Sequence, residues 1–323
     1  MPDPNSLYGP LDPAPEAGYE NAPPRMGFFT DTSVCIGCKA CEVACKEWND
    51  VPESGLDLLG MSYDNTGALT ANSWRHVAFV EQPRAAGHGP APADVLGAPV
   101  DADRDSPAEP GAGPQFLGMP GAQPPGRGTG VGERTDFRWL MMSDVCKHCT
   151  HAACLDVCPT GSLFRTEFGT VVVQEDICNG CGYCISACPY GVIDQRKGDG
   201  RAWKCTLCYD RLGAGMTPAC AQACPTESIQ YGPVEELRER AAERVATLHE
   251  RGVPEARLYG HDPNDGVGGD GAFFLLLDEP EVYGLPPDPV VTTRDLPKMW
   301  KRAGIAALTM AAATVAAFVG RSS

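Results

Sequence analysis

The sixteen cysteines of the chain fall into four groups of four, with none left over. The groups, with their spacings, are Cys35, Cys38, Cys41 and Cys45 (x2, x2, x3); Cys146, Cys149, Cys154 and Cys158 (x2, x4, x3); Cys178, Cys181, Cys184 and Cys188 (x2, x2, x3); and Cys205, Cys208, Cys220 and Cys224 (x2, x11, x3). A proline follows the last cysteine of three groups, and Lys46 follows that of the first. So many closely spaced thiols restrict the fold to loops that wrap around metal or are joined by disulfides.

The first and third groups have the spacing C-x2-C-x2-C-x3-C, which is typical of cubane [4Fe–4S] clusters in bacterial ferredoxins. A tight loop lets the first three thiolates reach one cluster, and the fourth thiolate ligates the neighbouring cluster. Gly37, Gly180 and Gly182 suit the turns of such loops. Sixteen thiolates therefore predict four [4Fe–4S] clusters, although the spacing alone leaves open which groups are paired.

Other uses of the cysteines fit the spacing poorly. Zinc sites commonly have separated C-x2-C pairs, often with histidine, and a run of three cysteines at x2 intervals does not match them. Covalent haem attachment needs C-x-x-C-H, but Thr150 stands where that histidine would be. The N-terminus is acidic and Pro-rich, so we expect no export signal and no disulfide framework.

Composition excludes some classes of function. The formal net charge of −16 argues against nucleic-acid binding, which depends on clustered Lys and Arg. No G-x-G-x-x-G motif follows a predicted strand, so we expect no dinucleotide bound by that route. We predict no catalytic residue, because every cysteine is committed to a cluster and His148 and His151 are interpreted as supporting or surface residues. The basic residues near the fourth group are assigned no site role: Arg196, Lys197, Arg201, Lys204 and Arg211.

Local patterns predict several elements. Alternating apolar residues predict a strand in 73–82, and 136–144 and 169–176 are interpreted as strands that enter the second and third cysteine groups. Residues 233–252 place apolar side chains on one face, begin with Pro and end with Gly, and so predict an amphipathic helix. Ala303 to Gly320 is an uncharged stretch of 18 residues, about 27 Å long as a helix. It predicts a transmembrane helix of marginal apolarity; the alternative is a soluble helix that is buried or bound to a partner.

Several stretches resemble the beta (iron–sulfur) subunits of respiratory formate dehydrogenases, which are electron-transfer subunits of molybdopterin oxidoreductases. The stretches are "CIGCKACEVACKEWND", "YDNTGALTANSW", "CNGCGYCISACPY", "KCTLCYDRLGAGMTPAC", and "VYGLPPDP" followed by "KMWK". The resemblance covers roughly 28–84 and 135–320. In nitrate reductase beta subunits a Trp replaces one cysteine of the third group, whereas all four are cysteine here.

The resemblance implies an α+β fold of two bacterial-ferredoxin-like modules with insertions, each holding two [4Fe–4S] clusters, plus a C-terminal transmembrane or docking helix. The expected segments are 1–26, a disordered extension; 27–84, the first motif of module 1; 85–133, a Gly/Pro-rich insertion; 134–198, module 2; 199–232, the fourth motif completing module 1; 233–297, a helix and C-terminal extension; and 298–320, a single membrane-anchoring helix.

In this arrangement the first group pairs with the fourth and the second with the third. The expected ligands are Cys35, Cys38, Cys41 and Cys224 for cluster a; Cys45, Cys205, Cys208 and Cys220 for cluster b; Cys146, Cys149, Cys154 and Cys188 for cluster c; and Cys158, Cys178, Cys181 and Cys184 for cluster d.

The resemblance further implies that the chain receives electrons from a formate-oxidising molybdopterin alpha subunit and passes them to a membrane cytochrome b gamma subunit and quinone. Two alternatives remain: the equivalent subunit of another molybdopterin reductase or a hydrogenase, and a subunit of a soluble nicotinamide-linked complex. We expect membrane association through the C-terminal helix. The side of the membrane on which the cluster domain lies is left open. Lys298, Lys301 and Arg302 favour a cytoplasmic domain, whereas the formate dehydrogenases it resembles expose theirs outside.

Overall fold

The computed structural model describes residues 13–54, 63–64, 66–83 and 137–319. The helices are α1 Pro13–Glu16, α2 Ala40–Trp48, α3 Ala153–Asp156, α4 Tyr183–Ala187, α5 Tyr209–Gly213, α6 Ala219–Gln222, α7 Val234–Glu250 and α8 Leu296–Val319. The strands are β1 Met26–Asp31, β2 Arg75–Pro83, β3 Phe137–Val145, β4 Leu163–Arg165, β5 Val171–Val173, β6 Asp194–Gln195, β7 Ala202–Trp203, β8 Ile229–Pro233, β9 Arg257–Tyr259 and β10 Ala272–Leu276. The mixed α and β content is as predicted.

A four-stranded sheet separates the cysteine-containing core from a helical layer. Its strand order is β8-β1-β10-β9, with β1 parallel to β10 and antiparallel to β8. Successive strand residues point to opposite faces. Phe29 and Phe273 therefore pack with Leu237 of α7 on one face, and Phe28 and Phe274 pack among the cysteines on the other. The amphipathic helix predicted for 233–252 is thus confirmed, and it covers the sheet.

Three two-stranded ribbons carry the remaining strands. The longest is β2 with β3, paired antiparallel over nine residues from Arg75↔Val145 to Pro83↔Phe137. The shorter ribbons are β4 with β5 and β6 with β7. The predicted strands in 73–82, 136–144 and 169–176 correspond to β2, β3 and β5. The predicted insertion 85–133 lies outside the described residues, and its flanks meet at Pro83 and Phe137.

The N-terminal segment differs from the expectation of a disordered 1–26 in the part that is described. Ala14 of α1 is 1% exposed. Arg25 donates hydrogen bonds to Thr150 Oγ1 at 2.7 Å and to the carbonyl of His148 at 2.9 Å. The many proline and acidic residues of 1–26 predict a segment that packs little against the rest of the protein. Here the Arg25 side chain binds the N-terminal segment to the loop that carries the second cysteine group.

The predicted C-terminal helix is present as α8, and its large apolar side chains Trp300, Leu308 and Met310 are 66–74% exposed. Within the ranges that the structure describes, no helix is both long and apolar enough to cross a membrane. The stretch expected to span, Ala303 to Gly320, is rich in alanine, and Gly320 lies outside those ranges.

The packing of α7 on the sheet yields a stability prediction. Leu237 is 1% exposed, so Leu237→Ala should lower the free energy of unfolding by about 2–5 kcal/mol, since it removes buried methyl groups and leaves a cavity. The matched control is Glu239→Ala on the exposed face, expected within about 0.5 kcal/mol of the parent. Anaerobic urea unfolding followed by circular dichroism measures both. Equal midpoints for the two variants would contradict the packing.

Candidate metal centres

The first cysteine loop is shaped by its backbone. It follows the 3-10 helix Thr32–Val34 and leads into α2, which carries Cys41 and Cys45. Gly37 has φ +63, and a Cβ at this position would lie 2.7 Å from Phe79 and from the Met141 sulfur. Only glycine fits such a left-handed position so close to neighbouring side chains. The β2–β3 ribbon thus covers the loop that presents the thiols.

One cavity lies between the loop of the first cysteine group and the end of the fourth group. The thiols that line it belong to Cys35, Cys38, Cys41 and Cys224. Besides burial, the neighbouring thiolates of Cys224 and Cys38 raise the pKa of Cys35. Burial raises the pKa of Cys41 to about 11, and its sulfur lies 3.1 Å from Ser143 Oγ. Cys224 is therefore next to the first group, although it belongs to the fourth.

A second cavity is lined by the thiols of Cys146, Cys149, Cys154 and Cys188. The pKa of Cys154 is raised to about 12, mainly by burial and in addition by the thiolates of Cys146 and Cys188. Lys204 also lines this cavity and acts in the opposite direction on Cys154. Three thiols of the second group are thus joined by the last thiol of the third.

The remaining thiols form two further neighbourhoods. The pKa of Cys45 is raised well above its ordinary value by burial and then by the thiolates of Cys205, Cys220 and Cys208. Asn49 Nδ2 lies 3.8 Å from the sulfurs of both Cys45 and Cys208, and its amide hydrogens can reach both.

Around Cys184, burial and then the thiolates of Cys178, Cys158 and Cys181 raise the pKa to about 11. Burial also opposes ionisation of Cys158, but hydrogen bonds outweigh it and lower the pKa of this thiol to about 6. The Oγ of Ser162 lies 3.6 Å from the Cys158 sulfur. This site is therefore already suited to a thiolate.

The thiols fit iron–sulfur clusters in their chemistry. Within the described ranges, no three Cys, His, Asp or Glu side chains converge where one metal ion could be held. The thiols instead line shared cavities, and soft thiolate donors are the usual ligands of iron–sulfur cores. The pKa values of Cys35, Cys41 and Cys154 in these cavities are raised, first because burial disfavours the charged thiolate and then because neighbouring thiolates would repel one another. A positively charged iron core would remove that repulsion.

Three buried cations near the thiols were not predicted as site residues. Arg75, Lys147 and Lys204 are each at most 2% exposed. Lys147 pairs with Asp144, and Lys204 donates to the carbonyl oxygens of Val171 and Cys205. Lys204 belongs to a stretch rich in basic residues, which is typical of a solvent-exposed loop. The sequence therefore gave no indication that Lys204 is buried. Arg75 is distant in sequence from every cysteine group, and only the fold brings it near them.

The other basic residues and histidines have structural roles. Arg196 lies 3.7 Å from the Trp203 ring centroid, and Arg211 lies 4.1 Å from that of Trp48. His148 is fully buried, and its Nδ1 accepts a hydrogen bond from the Val171 N–H. Burial and then the charge of Lys204 lower the pKa of His148 well below its ordinary value. The interpretation of His148 as a supporting residue is consistent with this position.

Comparison with protein families gives two matches, both to models described as a 4Fe–4S dicluster domain. One covers residues 34–162 and the other residues 137–234. Together the two ranges contain all sixteen cysteines.

Curated relatives extend the likeness over most of the chain. The nitrate-inducible formate dehydrogenase iron-sulfur subunit of Escherichia coli (strain K12) is 35% identical over 90% of this chain and 81% of its own length. The formate dehydrogenase iron-sulfur subunit of Haemophilus influenzae is 36% identical over 87% and 74%. The B subunit of the anaerobic dimethyl sulfoxide reductase of Escherichia coli is 30% identical over 74% and 86%.

The protein is therefore an iron–sulfur protein of two ferredoxin-like dicluster domains, and it carries four [4Fe–4S] clusters. The chain belongs to the family of the formate dehydrogenase iron–sulfur subunits, to which the B subunit of dimethyl sulfoxide reductase is also related.

Burial of the ligands predicts that cluster loss and unfolding are coupled. Cys41, Cys45, Cys205 and Cys220 belong to the main hydrophobic core, so removing iron would leave mutually repelling or protonated thiols around buried space. Anaerobic treatment with an iron chelator should therefore abolish visible cluster absorbance and helical circular dichroism with the same time course. Retention of the full helical signal after complete iron loss would contradict this coupling.

Proposed function

We propose that this chain is the electron-transfer subunit of a formate dehydrogenase and that it is not itself the catalyst. It would receive electrons from a formate-oxidising molybdopterin subunit and deliver them to a membrane cytochrome b subunit and quinone. The observation that carries the proposal is the similarity to two formate dehydrogenase iron–sulfur subunits, at 35–36% identity over 87–90% of the chain. The clusters would supply one-electron transfer, and the chain would hold them in order.

We also propose the crossed ligand sets, in which the last cysteine of each group serves the partner cluster. Support for cluster a comes from the cavity where Cys224 joins three thiols of the first group. Support for cluster c comes from the cavity where Cys188 joins three thiols of the second group. The thiolate neighbours of Cys45 and of Cys184 support clusters b and d in the same way.

The electrostatic influence of thiolates in one ligand set on thiols in the next supports a single file of clusters in the order a, b, c, d. Besides burial, the thiolate of Cys220 raises the pKa of Cys41, which relates set b to set a. Burial and then the thiolate of Cys146 raise the pKa of Cys205 to about 12, which relates set b to set c. The two inner sets would thus connect the modules.

The ends of the proposed file are the most accessible. Burial and then several charges, including the thiolate of Cys184, act on the pKa of Cys154 and relate set c to set d. Among the sixteen cysteines, Cys38 of set a and Cys181 of set d are the exposed ones. These two ends would face the redox groups of the electron donor and the electron acceptor.

The exposed helix α8 would serve as the docking element for the membrane partner. Its side chains at Met299, Trp300, Ile305 and Leu308 are 57–74% exposed, and burying such apolar surface against another subunit is favourable. We propose that this contact keeps the complex at the membrane.

Paired cysteine variants test the crossed ligand sets. Cys45→Ser and Cys205→Ser should perturb the same electron-paramagnetic-resonance signal, because both thiolates would bind cluster b. Cys35→Ser and Cys224→Ser should perturb a different signal, that of cluster a. If Cys45→Ser instead changes the Cys35→Ser signal and leaves the Cys205→Ser signal intact, the crossed assignment is wrong.

Formate-dependent reduction tests the proposed function. The full chain, tagged and isolated anaerobically from its host with its bound partners, should lose cluster absorbance on addition of formate. The chain purified alone should not respond to formate but should be reduced by dithionite, because it would hold no formate site. A complex that is oxidised by dimethyl sulfoxide and ignores formate would favour the second candidate, a subunit of a reductase of the kind related at 30% identity.

A further inference from the structure

Arg75 is a buried cation at the start of β2. Its side chain is among the largest fully buried ones, with 2% of its surface exposed. Its guanidinium carbon lies 4.9 Å from the centroid of the buried Phe28 ring. Within the described residues, no carboxylate lies within ion-pair distance of the guanidinium. An unbalanced charge in such a place is costly unless other negative groups surround it.

The negative groups around Arg75 are cysteine thiolates. Nη2 donates a hydrogen bond to Cys220 Sγ at 3.2 Å. Burial disfavours the charged guanidinium, but the thiolates of Cys220, Cys41, Cys205 and Cys45 outweigh it and hold the pKa of Arg75 above its ordinary value. Cys41 belongs to the proposed ligands of cluster a, and the other three belong to cluster b. The cation therefore lies between two ligand sets.

Two further observations point towards the cluster sites. Nη1 lies 3.1 Å from the carbonyl oxygen of Ser143 and 3.3 Å from its Oγ. That same Oγ lies 3.1 Å from Cys41 Sγ, so Ser143 connects the guanidinium to a ligand of cluster a. The Nε–H of Arg75 is fully buried and has no acceptor in the described protein. A buried donor without a partner is uncommon, and here it lies among sulfur ligands.

We propose that Arg75 is a shared tuning residue that raises the reduction potentials of clusters a and b together, through its charge and its N–H donors. This inference rests on the ligand sets proposed above. An electron added to a cluster increases its negative charge, so a fixed cation in a low-dielectric site favours the reduced form. Hydrogen bonds to cluster sulfurs act in the same direction. Electrons that enter the row of clusters would therefore reside preferentially on clusters a and b of module 1.

The test compares variants of the full holoprotein in electron-paramagnetic-resonance redox titrations with mediators, which need neither formate nor a partner subunit. Arg75→Met removes the charge and the donors. We expect the reduced-to-oxidised ratio of clusters a and b at fixed potential to fall at least about tenfold, which is 59 mV for one electron. Clusters c and d should stay within a twofold change. Arg75→Lys keeps the charge and should shift clusters a and b less than Arg75→Met.

Arg196→Met is the matched control. That guanidinium lies over Trp203 and donates to Asn72 Oδ1, so its loss should leave all four potentials unchanged. Iron content and signals at the parental level establish that each variant is intact. If Arg75→Met loses iron, Arg75→Gln is titrated instead, with the same shift of clusters a and b expected.

Unchanged potentials in an intact neutral variant would overturn the proposal, and so would an equal shift of all four clusters. Cys35→Ser and Cys45→Ser identify the signals of clusters a and b. A shift of only one of these two signals in the Arg75 variant would refute the shared role. Because these titrations use chemical reductants, a failure here is distinguishable from an absence of formate-dependent reduction.

Discussion

The meeting of cysteines from distant parts of the chain is the constraint on which the structure depends. Cys224 lines the same cavity as Cys35, Cys38 and Cys41, and Cys188 lines the cavity of the second group. Each such contact closes a long loop, which costs conformational entropy. A metal core bound by all four thiolates would offset that cost. Pairing of β1 with β8 in the sheet brings the segment before the first cysteine group next to the segment after the fourth.

Electrostatics makes the same sites depend on their cofactors. Buried thiols crowd together, and burial raises the pKa of Cys154 and Cys205 to about 12. The net charge of −16 adds to the difficulty of placing more thiolates inside the protein. Buried cations offset this negative charge locally: Arg75 donates a hydrogen bond to Cys220, and Lys204 lines the cavity of the second group. Under the proposal for Arg75, the same few contacts would influence folding, cluster binding and cluster potential.

The sequence predicted the elements that have a short-range signal. Cysteine spacing indicated the cluster chemistry, alternation indicated β2, and helical periodicity indicated α7. Arg75 had no such signal, because it begins a strand and is brought to the thiols only by the β2–β3 ribbon. The burial of Lys204 could not be predicted, because it lies in a stretch of basic residues and local composition does not determine burial. Arg25 likewise packs where an acidic, Pro-rich segment suggested disorder, because its partners are more than a hundred residues away.

Crossed ligation, as proposed above, would hold four clusters in one file. An iron anomalous-scattering map from crystals of the anaerobic holoprotein tests it most directly. We predict four iron centres in a single row, with Cys45, Cys205, Cys208 and Cys220 bound to the second. An iron centre bound by Cys35, Cys38, Cys41 and Cys45 together would contradict it.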